Sequence, residues 1–230
     1  MKALWIATWL LAAVSYPVGG NFLCSAENDG GKTNQASQSD SEKPTEQPWQ
    51  SLFDGRTLDG WRITEFGGQG DVTIEDGKIL LDFGSSLTGV TYRGDCPKTN
   101  YELRLEGMRM GGIDFFCGLT FPVGDSHCSF IVGGWAGSVV GLSNIDHRDA
   151  SGNDTTRYMV FKTGQWYRIR IRVTPEKIQA WIDDQQVVDQ TITGRHIGTR
   201  PEVDLSKPLG ISAWETQAGL RNIQLRRLSN

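Results

Sequence analysis

The stretch NIDHRDASGNDTTR, residues 144–157, crowds Asp146, His147, Asp149, Asn153 and Asp154 into one short segment. An imidazole titrates near neutrality, so it can take and return a proton at pH 7. His147 is therefore the candidate general base, with Asp146 and Asp149 as its catalytic partners. Clustered oxygens also suit a hard cation such as calcium. The segment lacks the spacing and the twelfth-position glutamate of an EF-hand, and no metal is assigned. A third reading is a solvated loop, because these residue types dominate turns in any protein. The other two histidines are weaker candidates. His127 sits beside Cys128, and His196 lies in TGRHIGTRP, which reads as a surface loop.

Aromatic residues supply a second set of candidates. Trp135 stands among Gly133, Gly134 and Gly137, which would let a flat ring approach closely. Trp214 precedes Glu215 near the end of the chain. An indole face holds the polarised C–H groups of a sugar by dispersion and burial, without charge. Trp135, Trp214 and Glu215 are thus assigned to substrate binding, on the concave face of a sheet bordered by the 144–157 loop. Trp181 alternates onto the polar side of Ile178, Ala180 and Ile182. It reads either as a sugar-facing ring or as cover for a sheet edge.

The elements that must hold these groups are strands. The chain has 28 glycines in 230 residues, above the usual ~7%, and they separate short alternating runs. In DVTIEDGKILLDF, Val72 and Ile74 alternate with polar residues before Asp76-Gly77, a favoured two-residue hairpin turn. In NYELRLEGMRM, Tyr101, Leu103 and Leu105 oppose Glu102, Arg104 and Glu106. In WYRIRIRV, Tyr167, Ile169, Ile171 and Val173 oppose Trp166, Arg168, Arg170 and Arg172. Period-two patterns of this kind mark half-buried antiparallel strands. KIQAWID and the separate run 186–192, with PLGISAW and RNIQLRRL, continue the series. No segment has the pattern of a long amphipathic helix. Many short strands between turn signals predict an all-β sandwich or barrel.

SLFDGRTLDGW, residues 51–61, begins the folded part. Leu52 and Phe53 are its first core residues, and Asp54-Gly55 and Asp59-Gly60 turn the chain so that Leu58 and Trp61 pack back. Before it, Lys2 and the apolar run from Leu4 to Val14 match a signal peptide, too short for a spanning helix of ~20 residues. Residues 1–26 are read as that leader, with export to the periplasm, cell envelope or exterior as an expectation. Residues 27–47 hold Ala36 as their one apolar residue and are read as a disordered linker. Residues 48–230 suffice for one domain with a core. The net charge of −4 gives no basic footprint for nucleic acid, and no transmembrane anchor is expected once the leader is removed. Cys117 and Cys128 could pair across a hairpin, leaving Cys96 free, or all three could be buried small hydrophobes.

Several of these segments carry a family resemblance. SLFDGRTLDGW resembles the Leu-Phe-(Asn/Asp)-Gly-x-x-Leu-x-Gly-Trp opening of the 3-keto-disaccharide hydrolase domain family of exported bacterial proteins. NYELRLEGMR, GQWYRIRIRV, IQAWIDDQQVVD and PLGISAWETQAGLRNIQLRRL are similar, in order, to later segments of that family. The resemblance implies a concanavalin A-like jelly roll of two antiparallel sheets, and chemistry on glycosides oxidised at C3. A C3 ketone acidifies the C2 hydrogen; a base removes it, the C1 substituent leaves, and water adds. The protein must supply that base and something to stabilise the enolate oxygen, either hydrogen-bond donors or a metal. Which cofactor, if any, is left open. Two departures fall at functional places. HCSFIVGGW, residues 127–135, has no carboxylate where the family often has a Glu-x-Gln-x-x-Asp strand. Ser212, Ala213 and Trp214 stand where it often has Gln-Asp-His. No catalytic residue is carried over from either motif. The alternative to an enzyme is a carbohydrate-binding or surface-interaction module on the same fold.

Overall fold

A computed structural model describes residues 47–229 of the chain. The expected leader and nearly all of the expected linker lie outside the described residues. Alternation sets the architecture: wherever one residue in two is apolar, a strand forms and buries that face. The first seven strands are β1 (Gln50–Ser51), β2 (Trp61–Ile63), β3 (Val72–Glu75), β4 (Lys78–Leu81), β5 (Leu87–Tyr92), β6 (Tyr101–Gly112) and β7 (Cys117–Val123). The remaining eight are β8 (Ser126–Gly134), β9 (Val139–Ser143), β10 (Arg157–Tyr158), β11 (Trp166–Val173), β12 (Lys177–Ile182), β13 (Gln185–Thr191), β14 (Gly210–Trp214) and β15 (Thr216–Arg227). Among the described residues the one helix is a six-residue 3-10 segment, Pro201–Ser206, and no helix is long and apolar enough to cross a membrane.

The strands form two antiparallel sheets, the jelly-roll sandwich that the family resemblance implied. One has the order β13-β12-β11-β6-β15-β4-β3, with β1 added on β15. The other runs β10-β9-β8-β7-β14-β5-β2. The Asp76-Gly77 turn joins β3 to β4, and both residues take positive φ, 47° and 77°. This is the backbone that a tight hairpin demands. Between the sheets lies one apolar core. Tyr101, Leu103 and Leu105 meet Ile169, Ile171 and Val173 from the first sheet, and Leu119, Phe121, Phe130, Leu142 and Ile211 fill it from the second.

The opening peptide is part of this core. Leu52, Phe53 and Trp61 are buried, and the Trp61 indole N–H donates to the Leu52 carbonyl at 2.7 Å. Asp54 accepts the backbone N–H groups of Arg56 and Thr57, both at 2.8 Å, as a turn former does. Among the described residues the three cysteines, Cys96, Cys117 and Cys128, make no disulfide. Within the β7–β8 hairpin Cys117 faces Val132 and Cys128 faces Phe121, so the two thiols are several positions out of register. Burial pushes the Cys128 thiol up to about 12, as for a small core hydrophobe.

One carboxylate is buried on the far side of the first sheet. Glu102 has no exposed surface. It accepts from Arg170 (2.8 Å), Arg172 (2.7 Å) and Arg226 (2.6 Å). Burial pushes its carboxyl up, but the hydrogen bonds from Arg172 and Arg226 outweigh that and hold it below the ordinary glutamate value.

This packing can be tested at two positions. Trp61→Ala should cost about 3–5 kcal/mol in urea unfolding, as large aromatic truncations do; a loss below about 1 kcal/mol would show that the motif does not anchor the core. Glu102→Gln strands three guanidinium groups and should cost several kcal/mol at pH 7, on the scale of ~3–5 kcal/mol for a broken buried pair. Because the folded pKa is depressed, this contribution is full above the unfolded value of ~4.3 and is lost as pH falls through the folded one. The stability gap between wild type and Glu102→Gln should therefore narrow in acid. A gap independent of pH from 7 to 3 would contradict the arrangement.

Candidate functional site

The second sheet has an outer face as well as a core face, and its residues are the other half of the alternation. Leu87, Ser129, Ile131, Val139, Ser143 and Trp214 point this way, while their strand neighbours enter the core. An uncovered face of this kind would leave apolar surface in water. Val203 of the 3-10 segment, Phe115 and Ala150 pack onto it instead, forming a second, smaller apolar cluster with Leu87, Ile131 and Val139. The cover is incomplete. It leaves a pocket of about 200 Å³ lined by Leu87, Phe115, Ile131, Trp135, Val203 and Trp214, with Asp114, Ser129, Ser143, Arg200 and Glu202 as its polar groups. Pockets for drug-sized ligands run to ~300–1,000 Å³, so this one fits a single small ring.

Trp135 reaches the pocket from a strained turn. It and Ala136 are the two central residues of the turn closed between Gly134 and Gly137, and both take left-handed φ, 46° and 60°. The Gly137 N–H donates to the Gly134 carbonyl at 3.2 Å. Such a turn favours Asn-Gly, and each non-glycine residue costs roughly 1–2 kcal/mol. Strain of this sort persists where surrounding contacts over-determine it. Here the contacts are those of Arg109, which is 6% exposed. Its Nη2 donates to the carbonyls of Asp114 (3.2 Å), Gly133 (3.2 Å) and Gly137 (3.0 Å). Asp114 adds two ties, accepting from the N–H groups of Phe115 (2.7 Å) and Ala136 (3.3 Å).

Of the glycines around Trp135, Gly134 borders the pocket, where a Cβ would lie 2.8 Å from Ile131 and 3.7 Å from Phe115, while Gly133 and Gly137 make room for Arg109. A Cβ on Gly133 would lie 2.6 Å from Arg109 Nη2, and one on Gly137 would lie 2.9 Å from the Ile113 carbonyl. They are small so that the guanidinium can sit beneath the turn.

Trp214 ends β14, its N–H bonded to the Phe115 carbonyl at 3.1 Å and its ring 6.5 Å from that of Phe115. Glu215 comes next, with φ 42°. It is exposed and does not line the pocket. Trp181 is on the other sheet, under the Arg170 guanidinium at 3.8 Å, so neither of its expected roles places it at this site.

The 144–157 loop forms the adjoining wall. Asp146 and His147, φ 48° and 63°, are the centre of a tight turn closed by two 2.9 Å bonds between Ile145 and Arg148. Asp146 accepts from the His196 N–H (2.8 Å) and from Arg195 (2.6 Å). The His196 bond, with Arg195 behind it, holds its carboxyl below the ordinary range. Asp154 also pairs with Arg195, at 3.0 Å. Asp149 accepts from Ser151 (2.7 Å) and Arg200 (2.9 Å). The loop's carboxylates are thus already engaged by arginines, and no group of three metal-ligating side chains converges among the described residues. His147 differs: it is exposed, stacks on His196 at 4.0 Å, and no hydrogen bond to its imidazole is seen among the described residues.

His147, Asp149 and Asn144 line a polar cleft of about 330 Å³, with Arg200, Pro201 and Glu202. Arg200 and Glu202 belong to both the cleft and the aromatic pocket. They pair with each other at 2.8 Å, and that bond depresses the Glu202 carboxyl. Trp135 and Trp214 are thus brought together, and His147 and Asp149 are brought to the same rim; Asp146 and Glu215 are not. Arg200 and Glu202 went unrecognised in the sequence. They sit in a Pro-bounded segment whose only local signal is charge, and what makes them part of a site is the sheet beneath them.

A family model described as a 3-keto-alpha-glucoside-1,2-lyase-like domain matches residues 48–226. No curated protein matches the sequence. Among solved structures, the Crh5 transglycosylase in complex with NAG aligns with TM-score 0.53 at 11% identity, covering 80% of this chain and 84% of that one. The exoplasmic/lumenal domain of VIP36, in its Ca2+/Man3GlcNAc-bound form, aligns at 0.51 and 10% identity, covering 79% and 92%. Carbohydrate binding module CBM66 from Bacillus subtilis aligns at 0.48 and 10% identity, covering 73% and 95%. At such identities the likeness to the first two is one of fold alone.

If Arg109 pins the Trp135 turn, filling the space beside it must cost stability. Gly133→Ala, at φ +79°, should lower unfolding free energy by more than about 1 kcal/mol. An unchanged urea midpoint would show that the turn does not depend on this contact.

Proposed function

The chain belongs to the family of 3-keto-alpha-glucoside-1,2-lyase-like domains, and on that premise we propose that it cleaves 3-keto-glycosides at the pocket between Trp135 and Trp214. The observation that carries the reading is the joining of a ring-sized aromatic pocket to a polar cleft through Arg200 and Glu202. One sugar ring stacks in the pocket. The cleft receives the rest of the glycoside. His147 takes the C2 hydrogen as a proton, and the electron pair moves onto the C3 oxygen as an enolate. The enolate returns its electrons to expel the C1 substituent, leaving a C1–C2 double bond and the C3 ketone. The departing oxygen gains a proton, and addition of water to the double bond completes a net hydrolysis. Arg200 is the cation at the boundary of the two compartments, suited to stabilise the enolate. Export remains part of the proposal, resting on the leader pattern.

His147 is chosen because the alternatives are spoken for. Asp114 takes two backbone N–H groups, and Asp149 and Glu202 both pair with Arg200. The same fact favours a second reading, in which the pocket binds a sugar and turns nothing over. Release of the aglycone from p-nitrophenyl 3-keto-α-glucoside separates the two. Under the enzyme reading the wild type releases nitrophenol, and His147→Ala slows it by about 10²–10⁴, the scale of a general base. Trp214→Ala should chiefly raise KM. A wild type that is inert but is retarded on a glycan in a Trp214-dependent way is a binding module. If neither substitution changes turnover or retention, the site is misassigned.

A further inference from the structure

The outer face of the first sheet carries a pattern that the sugar pocket does not use. Along β6 stand Glu102, Arg104 and Glu106. Glu102 lies opposite Arg172 on β11 and Arg226 on β15; Glu106 lies opposite Arg168 and Arg221. Each glutamate thus sits between two arginines. The middle row breaks the rule: Arg104 lies opposite Arg170 on one side and Gln224 on the other. Like charges directly opposite each other on paired strands are destabilising. Arg170 is partly compensated by Glu102 at 2.8 Å. Arg104 donates its Nε to Gln224 at 2.8 Å and pairs with no carboxylate among the described residues.

Each of the two guanidiniums rests on a tryptophan. Arg104 lies over Trp49 at 4.1 Å and Arg170 over Trp181 at 3.8 Å. Plating of this kind fixes the donor fork and reduces the ordering cost of using it. The row opens into a groove of about 570 Å³, within the range of ligand sites. Its rim carries Glu106, Asn222, and Asp183 and Asp184, which pair with Arg168 at 3.7 Å and 2.9 Å.

We infer that this groove binds an acidic sugar, a uronate or sulfated residue of a glycan, with its anionic group between Arg104 and Arg170. An anion there supplies the negative charge that the middle row lacks, and a planar or tetrahedral oxyanion matches the guanidinium fork. The acidic rim selects the rest of the ligand. Carboxylates accept hydrogen bonds from sugar hydroxyls, but they repel a backbone with a charge on every unit, such as a nucleic acid. The groove is on the opposite sheet from the aromatic pocket, so this inference does not rest on the activity proposed above.

Titration calorimetry with a trisaccharide carrying a single terminal galacturonate and with maltotriose tests it. The acidic trisaccharide should bind at least about tenfold more tightly, the effect of one charge-assisted contact. Arg104→Gln should abolish that preference while leaving the melting temperature equal or higher, since it removes a like-charge pair. Arg104→Lys, which keeps charge without the fork, should lose most of the affinity and serves as the check if Arg104→Gln folds poorly. Trp214→Ala should leave the preference intact. Equal binding of the two trisaccharides, or undiminished binding by both Arg104 variants, would overturn the inference. So would loss of the preference in Trp214→Ala, and so would inorganic sulfate or an oligothymidylate binding as tightly as the uronate.

Discussion

The Arg109 guanidinium connects the fold to the site. It starts from β6, a core strand, and its Nη2 bonds three carbonyls, that of Asp114 between β6 and β7, that of Gly133 near the end of β8 and that of Gly137 between β8 and β9. Burial pushes its pKa down, with the charge of Asp114 acting in the other direction. Those bonds hold Trp135 and Ala136 in left-handed conformations that neither would adopt alone, and they place Phe115 beside Trp214. One wall of the pocket thus depends on a cation whose role is to satisfy backbone. The opposite wall depends on a simpler need: the apolar outer face of the second sheet must be covered, and Val203 and Ala150 cover part of it.

The two sheets use their outer faces in different ways. The second buries its outer face beneath loops and keeps an aromatic hole. The first leaves its outer face open and neutralises most of it with arginine-carboxylate rows plated on Trp49, Trp166 and Trp181. Glu102 can be fully buried there because several guanidinium donors satisfy it, which is the condition for burying a charge at all.

What could be read from the sequence was local. The Asp76-Gly77 hairpin, the alternation of WYRIRIRV and the packing role of Trp61 each depend on residues close in the chain, and period two assigns their faces. Which sheet a face belongs to is not local. Trp181 and Trp214 both lie in alternating runs, yet one lies under an arginine on the first sheet and the other lines the pocket on the second. That difference arises because β12 pairs with β11 and β13, whereas β14 pairs with β5 and β7 across long connections. The same holds for Gly133 and Gly137, whose reason is a side chain more than twenty residues earlier. His147 and Asp149 were visible as chemistry-bearing residues. Their arginine neighbours were not, since Arg195 and Arg200 reach the loop only once the chain has folded.

The central claim is that a sugar ring occupies the pocket between Trp135 and Trp214. The most direct measurement is the indole N–H region of the protein's ¹⁵N NMR spectrum during titration with 3-keto-glucose glycoside, with each signal assigned by substitution. The account predicts saturable shifts of the Trp135 and Trp214 signals, while those of Trp61, Trp166 and Trp181 stay fixed. Saturation that moves Trp166 or Trp181 and leaves Trp135 and Trp214 in place would contradict it.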